Sequence, residues 1–391
     1  MWAYAVTKES LSKVSKIDFN KRLPSTGIEL IDVPIPNLKP NEVLVKVQSS
    51  ALNYNSIWSA TCHPVSPFQL INNHIRRNPD DKEHAQDYAI LGSDASGYVA
   101  KVGAQVKDLR EGDEVIIHCN VADENDPQFK IDSMISSTQS IWGYETNFGA
   151  FAEFAKVKSS QLIKKPSDIS WDVAGSFSLT LSTAYRMLLS DNGARLKKGE
   201  TCLIWGAAGG LGSFAIQLCK LIGAKSIAVV STNEKAKVAE DLGADYVINR
   251  KGENLLPFTK NGGEPDLLAW NKFSKLLKSN NCPEIDCVFE HVGAQTLGMS
   301  VYLVKRGGRV VICGASSGFI SQIDLRYLWM ELKTIYGSHF ANEVEASIAA
   351  GLVFDGKIKP LIHSKNKISE LPKMADKLHN DDISGKIVFN H

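Results

Sequence analysis

The chain lacks a surplus of charge of either sign. With 44 lysines and arginines against 43 aspartates and glutamates, its formal net charge is +1, so it has no basic excess to displace counterions from a nucleic acid or to hold an anionic membrane. It also lacks any apolar run approaching the roughly 20 residues of a membrane helix. Its opening residues, Met-Trp-Ala-Tyr-Ala-Val-Thr-Lys-Glu-Ser, contain no basic stretch followed by an apolar one, and a cytosolic (cytoplasmic) protein is expected. Cysteines are few. The seven (Cys62, Cys119, Cys202, Cys219, Cys282, Cys287 and Cys313) are scattered, odd in number and without a Cys-x-x-Cys pair, which argues for reduced thiols used mostly as small core residues, not for a disulfide framework or a zinc cluster. Internal repeats and low-complexity tracts are absent as well.

What is present is an ordinary globular balance, 391 residues with 43% hydrophobic and 22% charged, long enough for two to three domains at roughly 150 residues each. From Ile28 to about Lys158, short alternating apolar runs recur between turn signals, such as Glu42-Val-Leu-Val-Lys-Val47, Gly97-Tyr-Val-Ala-Lys-Val102 and Asp113-Glu-Val-Ile-Ile-His118. This period of two predicts a half-buried β domain. The charged segment from Asn72 to Asp87 interrupts it and reads as a polar loop or short helix. After Pro166 a β-then-α alternation begins: Thr201–Trp205, a helix over Phe214–Ile222 ending at Gly223, a strand over Ser226–Val230, a helix over Glu234–Leu242 ending at Gly243, then Tyr246–Ile248, Ile285–Glu290 and Arg309–Cys313. That order predicts a parallel sheet covered on both faces. The polar stretch from Gly252 to Pro283 reads as a surface excursion with its own short helix. The terminal Gly385–Phe389 reads as a strand pairing back with the first domain.

Trp205-Gly-Ala-Ala-Gly-Gly-Leu-Gly212 lies between an apolar strand and a helix. Ala207, Gly209 and Gly212 have the spacing of the dinucleotide fingerprint, in which the backbone, here with Gly210 and Leu211, approaches a pyrophosphate at a helix N-terminus. At the end of the next strand, where an NAD enzyme places a carboxylate on the ribose, stands Ser231. Lys235 and Arg250 follow, a set suited to the extra phosphate of NADP. The alternative is that Lys235 is a solvated helix charge and Glu234 holds the ribose of NAD.

A β domain, a dinucleotide domain and a return to the first resemble the medium-chain dehydrogenase/reductase superfamily, as do Pro40-x-Glu42-Val-Leu-Val-Lys-Val47, Gly92-Ser-Asp-Ala-Ser-Gly97 and Gly112-Asp-Glu-Val115. Zinc-dependent members carry a Cys ligand and Gly-His-Glu where this chain has Asn55-Ser56 and Gly92-Ser93-Asp94, so no metal is expected. Four longer strings narrow the resemblance to the crotonyl-CoA (enoyl-CoA) carboxylase/reductases: Asn53-Tyr-Asn-Ser-Ile-Trp58, Trp142-Gly-Tyr-Glu-Thr-Asn-Phe-Gly149, Phe289-Glu-His-Val-Gly293 and the run from Arg326 to Asn342. The resemblance implies an α/β protein with a GroES-like β domain over 1–175 and 345–391 and a Rossmann doubly wound parallel-sheet NADPH domain over 176–344.

It further implies reduction of an enoyl-CoA by NADPH at the β-carbon, followed by capture of carbon dioxide at the α-carbon. The carbon-dioxide pocket falls on Asn55, Tyr144, Glu145 and His339, with an Asn amide, the His339 ring and the Tyr144–Glu145 backbone as donors and Glu145 as an orienting group. His291 falls at the cofactor. Arg326 is the first candidate for a CoA phosphate, then Lys333, with Arg76 and Arg77 weaker. His63 is a candidate proton donor for a non-carboxylating outcome, against a plain loop residue. The alternatives are a non-carboxylating enoyl-CoA reductase, a quinone oxidoreductase, or an NADPH-binding protein without turnover. A homodimer or homotetramer is expected from the family.

Overall fold

The computed structural model describes residues 1–255, 257–260 and 263–391. They divide into two units: Met1–Leu179 with Asn342–Phe354 and Pro360–His391, and Thr180–Ala341 with Asp355–Lys359. Among the described residues no helix is long and apolar enough to cross a membrane.

The first unit is built on antiparallel sheet. Across its main sheet lie Leu162–Lys164, Glu114–Ile117, Ala95–Val102, Glu42–Ala51, Lys386–Asn390 and Ile362–Lys367, with Phe154–Lys158 also paired to Glu42–Ala51. In the central strand Val43, Val45 and Val47 are buried as predicted, but on the other face only Lys46 is exposed, Glu42 and Leu44 being buried too. Lys386–Asn390 runs antiparallel to Ser49–Ala51, so the far end of the chain completes the sheet. A smaller sheet places Trp2–Thr7 between Ile28–Asp32 and Tyr88–Ile90.

The second unit is a parallel sheet in the order Tyr246–Asn249, Lys225–Val230, Thr201–Trp205, Ile285–Glu290, Val304–Ile312, Thr334–Gly337. Winding reverses between Thr201–Trp205 and Ile285–Glu290, and ligands of open α/β sheets bind beyond the strand ends at such a reversal. Both strands are buried along their whole length, as a sheet covered on both faces requires. The helices Gly210–Ile222 and Asn233–Leu242 stop at Gly223 and Gly243, whose φ of 74° and 96° is the left-handed cap that glycine adopts without strain.

One expectation is corrected and another is decided between its alternatives. The stretch from Gly252 to Pro283 is no surface excursion: its helix Leu267–Ser279 buries Trp270, Phe273 and Leu277 in the same core as Leu203, Trp205, Ile227 and Val288. Residues 256, 261 and 262 of that stretch lie outside the described ones. The helix carries three lysines and an asparagine, but its apolar residues recur on one face, and Trp270 Nε1 donates to the Phe258 carbonyl at 2.8 Å. The segment after Asn72 belongs to an eleven-residue helix, Pro67–Arg77, followed by the short 3₁₀ helix Pro79–His84, and both His74 and His84 are buried.

One buried ion pair ties the ends of the first unit together. Lys386 Nζ lies 2.9 Å from Asp94 Oδ2, with the side chains 2% and 0% exposed. Removing one partner of such a pair leaves an uncompensated buried charge and costs about 3–5 kcal/mol. Lys386→Met is therefore expected to lower the melting temperature by on the order of 10 °C, and Asp94→Asn/Lys386→Met to recover most of the loss. Differential scanning calorimetry checks this, and a double variant as unstable as the single one would show that the charge is not the cause.

Candidate active site

In the first unit, Asn53 sits at the head of the helix Tyr54–Thr61 in extended conformation, and its side chain does not cap the helix. It turns inward: Nδ2 donates to Asp94 Oδ2 at 2.9 Å, and Oδ1 accepts from Lys386 Nζ. The Leu179 amide donates to Asp94 Oδ1 at 2.6 Å. Two residues on, Asn55 Nδ2 donates to Ser93 Oγ at 2.9 Å, and Ser93 is fully buried.

The Trp142–Gly149 string folds against the same segment. Gly92 donates to the Gly143 carbonyl at 3.1 Å and accepts from the Ala150 amide at 2.9 Å. Gly143 has φ 68°, and a Cβ on it would fall 1.9 Å from the Gly92 carbonyl oxygen, so only glycine fits this turn. Tyr144 lies 6.4 Å, between ring centroids, from Trp58 of the helix that carries Asn55. Burial, and then the Glu145 charge, push the Tyr144 phenol up to about 12, so it stays neutral. Glu145 Oε2 accepts from the Ile141 amide at 2.8 Å, and its Oε1 lies 3.8 Å from Arg77 Nη2.

The expected Tyr144–Glu145 backbone donor is corrected by this turn. Both amides donate to the Ile141 carbonyl, at 3.2 and 2.8 Å, because three consecutive N–H groups converge inside the turn. Arg77, a candidate for phosphate, instead donates to Ser140 Oγ at 3.0 Å beside Glu145. Ser140 is also 2.9 Å from His74 Nδ1, whose Nε2 is 3.0 Å from Asp81. His63 packs on Phe19, with 4.1 Å between ring centroids, and partial burial and Arg22 lower its pKa.

In the second unit the glycine loop follows Trp205 directly. Gly206 has φ 56°, and a Cβ there would lie 2.9 Å from His291 Cε1. Gly209 is the extended N-cap of Gly210–Ile222. A Cβ on Gly212 would lie 2.5 Å from Ala207 Cα, so the helix is docked on the loop through glycine. His291 Nε2 lies 2.9 Å from the Trp205 carbonyl, which assigns the proton to Nε2, and burial lowers the pKa of the ring. Glu290 anchors the turn after it, accepting from the Val292 and Gly293 amides at 2.8 and 3.1 Å and from the Thr296 and Ser300 hydroxyls at 2.9 and 2.6 Å.

Ser231 is buried at the end of Lys225–Val230, and Lys235 lies in the first turn of the next helix, whose cap is Thr232. Arg250 follows Tyr246–Asn249, its amide bonded to the Val230 carbonyl at 2.9 Å. Glu234 is turned back on its own amide and the Thr232 hydroxyl, which lower its pKa. A glycine-rich loop at a helix N-terminus, with a lysine after the second strand and an arginine after the third, fits a phosphorylated dinucleotide.

The CoA-phosphate candidates fare differently. Lys333 is corrected: its Nζ is buried and donates to the Val301 and Tyr302 carbonyls at 2.9 and 3.2 Å, satisfying the C-terminal end of the helix Leu297–Leu303. Arg326 is exposed and holds Asp324 through Nε at 3.0 Å and Nη2 at 2.6 Å. His339 lies in the second unit, after Thr334–Gly337. Sequence reasoning met Ser93 and Asp94 within a string shared with the superfamily and as departures from its metal-binding pattern, gave them no role, and passed over Lys386. The signal for Lys386 was a lysine opening an otherwise apolar strand, Lys-Ile-Val-Phe.

The donor set at Asn55, Ser56, Ser93 and Asp94 does not fit zinc. It holds no thiolate or imidazole, Asn55 and Ser93 bond each other, and Asp94 is neutralised by Lys386. Among the described residues, His74, Asp81 and His84 bring ligand-type atoms within 4.8 Å of one another, but Lys39 already supplies the positive charge to Asp81.

Residues 39–167 match the family model described as alcohol dehydrogenase GroES-like domain, and residues 210–353 the one described as zinc-binding dehydrogenase. These define the class, a GroES-like domain joined to a Rossmann-type dinucleotide domain. The chain is 40% identical over 386 residues to the crotonyl-CoA reductase of Streptomyces collinus, covering 98% of this chain and 86% of that protein. It is 39% identical over 388 residues to the crotonyl-CoA carboxylase/reductase of Cereibacter sphaeroides, covering 97% and 85%. A solved 2-octenoyl-CoA carboxylase reductase in complex with NADP and 2-octenoyl-CoA superposes with a TM-score of 0.95 at 38% identity, covering 100% of this chain and 87% of that chain. The chain belongs to the crotonyl-CoA carboxylase/reductase family.

Buried imidazoles give this unit a pH-dependent stability. Desolvation, then the Lys156 and His74 charges, lower His84 to about 3, and desolvation lowers His391 to about 4. Unfolded imidazoles protonate near pH 6.5, so stability is full above that pH and falls below it by about 1.36 kcal/mol per unit per histidine, roughly 2 kcal/mol each at pH 5. Thermal melts at pH 7.5 and 5.0 should show this loss, and His84→Gln should remove part of the slope; an unchanged slope would mean that His84 does not carry it.

Proposed function

We propose that this protein transfers a hydride from NADPH to the β-carbon of an α,β-unsaturated acyl-CoA and carboxylates the resulting thioester enolate. When bound, the dinucleotide supplies the hydride and is left oxidised. The enolate α-carbon then forms a bond to the carbon of carbon dioxide, one C=O electron pair moves to oxygen, and an alkylmalonyl-CoA results. The observation that carries this reading is Asn55, a hydrogen-bonded amide where the metal-dependent class has a thiolate, in a chain that matches carboxylating relatives along nearly its whole length. An amide N–H stabilises the charge that develops on the carbon-dioxide oxygens.

The first unit is the substrate domain and the second the dinucleotide domain. Asn55 acts as donor, Tyr144 as a neutral aromatic wall, and Glu145 as the group that orients water, since its charge repels a carboxylate product. His339 is a donor on the strength of the resemblance. Ser231, Lys235 and Arg250 select the extra phosphate of NADPH, and His291 supports the loop beneath it. Arg326 serves a CoA phosphate once Asp324 is displaced. The family supports a cytoplasmic homodimer or homotetramer.

A non-carboxylating enoyl-CoA reductase is the competing reading. It is favoured by the occupied amides of Tyr144 and Glu145, which remove one expected donor. The mass of the product from crotonyl-CoA and NADPH, with and without bicarbonate plus carbonic anhydrase, separates the two. Ethylmalonyl-CoA is expected only with the carbon source; butyryl-CoA in both would sink the carboxylating reading. Asn55→Ala should shift the product toward butyryl-CoA. Gly206→Val, which drives a branched side chain into His291 at a positive φ, should raise KM for NADPH at least tenfold.

A further inference from the structure

We propose that Ser93 is a positioning residue for carbon-dioxide capture, holding the Asn55 side chain in the one rotamer that aims its remaining N–H at an oxygen of the carbon dioxide. The proposal rests on the carboxylating reading and goes one residue beyond it.

An Asn amide has two N–H bonds on a side chain with two free torsions. Carbon dioxide is uncharged and offers little binding of its own, so its donor must be in place before it arrives, and a misplacement of about 1 Å can cost on the order of a hundredfold in rate. Asn55 is half-buried, and nothing in the helix geometry alone holds its χ angles. One N–H is engaged by Ser93 Oγ at 2.9 Å. On the other side of the amide, Ser56 Oγ reaches Asn55 Oδ1 only at 3.4 Å, too long to fix it. Ser93 is therefore the stronger of the two anchors.

Ser93 is itself held. It is fully buried between two immobilised neighbours. Gly92 is clamped by its hydrogen bonds to Gly143 and Ala150. Asp94 is fixed by Lys386, Asn53 and the Leu179 amide. The same Asp94 holds Asn53, two residues before Asn55, so both ends of the Asn55–Ser93 bond are referred to one buried carboxylate. Placing a donor on a rigid support of this kind is what a weakly bound reactant requires.

The test compares wild type, Ser93→Ala and Ser93→Thr, with crotonyl-CoA and NADPH at limiting bicarbonate plus carbonic anhydrase, and measures the ratio of ethylmalonyl-CoA to butyryl-CoA. Both products pass through the same enolate, so the ratio is independent of how much of each variant is folded. Loss of one anchoring hydrogen bond should lower the ratio about tenfold in Ser93→Ala, raise KM for carbon dioxide, and leave Ser93→Thr, which keeps the hydroxyl, near wild type. A wild-type ratio in Ser93→Ala overturns the positioning role while the carboxylating reading stands. Absence of ethylmalonyl-CoA from the wild type overturns the carboxylating reading and this inference with it.

Discussion

A carboxylate with no access to water needs a partner, and the first unit is arranged around meeting that need for Asp94. Lys386, Asn53 and the Leu179 amide reach it from three separate stretches of chain. In satisfying one charge the fold fixes the C-terminal strand of the sheet, the start of the helix that carries Asn55, and the segment from which Ser93 reaches that asparagine. A buried pair of this kind contributes little net stability against an apolar substitute, whereas stranding either charge is costly, so these three stretches are held together by the need to keep both partners in place.

At this same region the side chains are not those that zinc takes as ligands, although the matching family model is described as zinc-binding dehydrogenase. Where a cation would draw side chains together, a hydrogen bond between Asn55 and Ser93 and an ammonium on Asp94 do so instead. The replacement changes the chemistry on offer. A Lewis acid polarises a carbonyl or alkoxide, whereas an amide N–H favours oxygen atoms on which charge is still developing.

Much of the fold was legible in the sequence because its signals are local. Glycines at fixed spacing after an apolar strand can serve few purposes, and Gly209 and Gly212 meet the backbone demands that the spacing with Ala207 implied, while the positive φ of the turn falls on Gly206, outside it. The return of the chain through Lys386–Asn390 was legible for the same reason. What failed was inference from charge. Lys333 and Arg77 looked like free cations, yet one closes a helix end from inside the protein and the other lies against Ser140 and Glu145. A residue's charge says nothing about which way it points. Similarly, the lysines of Leu267–Ser279 hid a buried aromatic face, and the inward turn of the Tyr144 and Glu145 amides depends on a backbone path that no side chain announces. The roles of Ser93 and Asp94 were not visible, because their partners are distant in sequence.

The discontinuity of the first unit has a consequence for biosynthesis. Asp94 and Lys386 are 292 positions apart, so at roughly 5–20 residues per second the ribosome adds the lysine about 15–60 s after the aspartate. In the last part of that interval the second unit, once Ala341 has been made, can assemble its parallel sheet while the earlier-born unit still lacks its last strands and its counter-ion. The usual order of emergence is thereby inverted. Until the last strand arrives the nascent chain carries a sheet whose edge is open at Ser49–Ala51, Glu42–Lys46 being already paired with Phe154–Lys158, and that short edge is where a chaperone or a stray strand from a neighbouring nascent chain would find purchase.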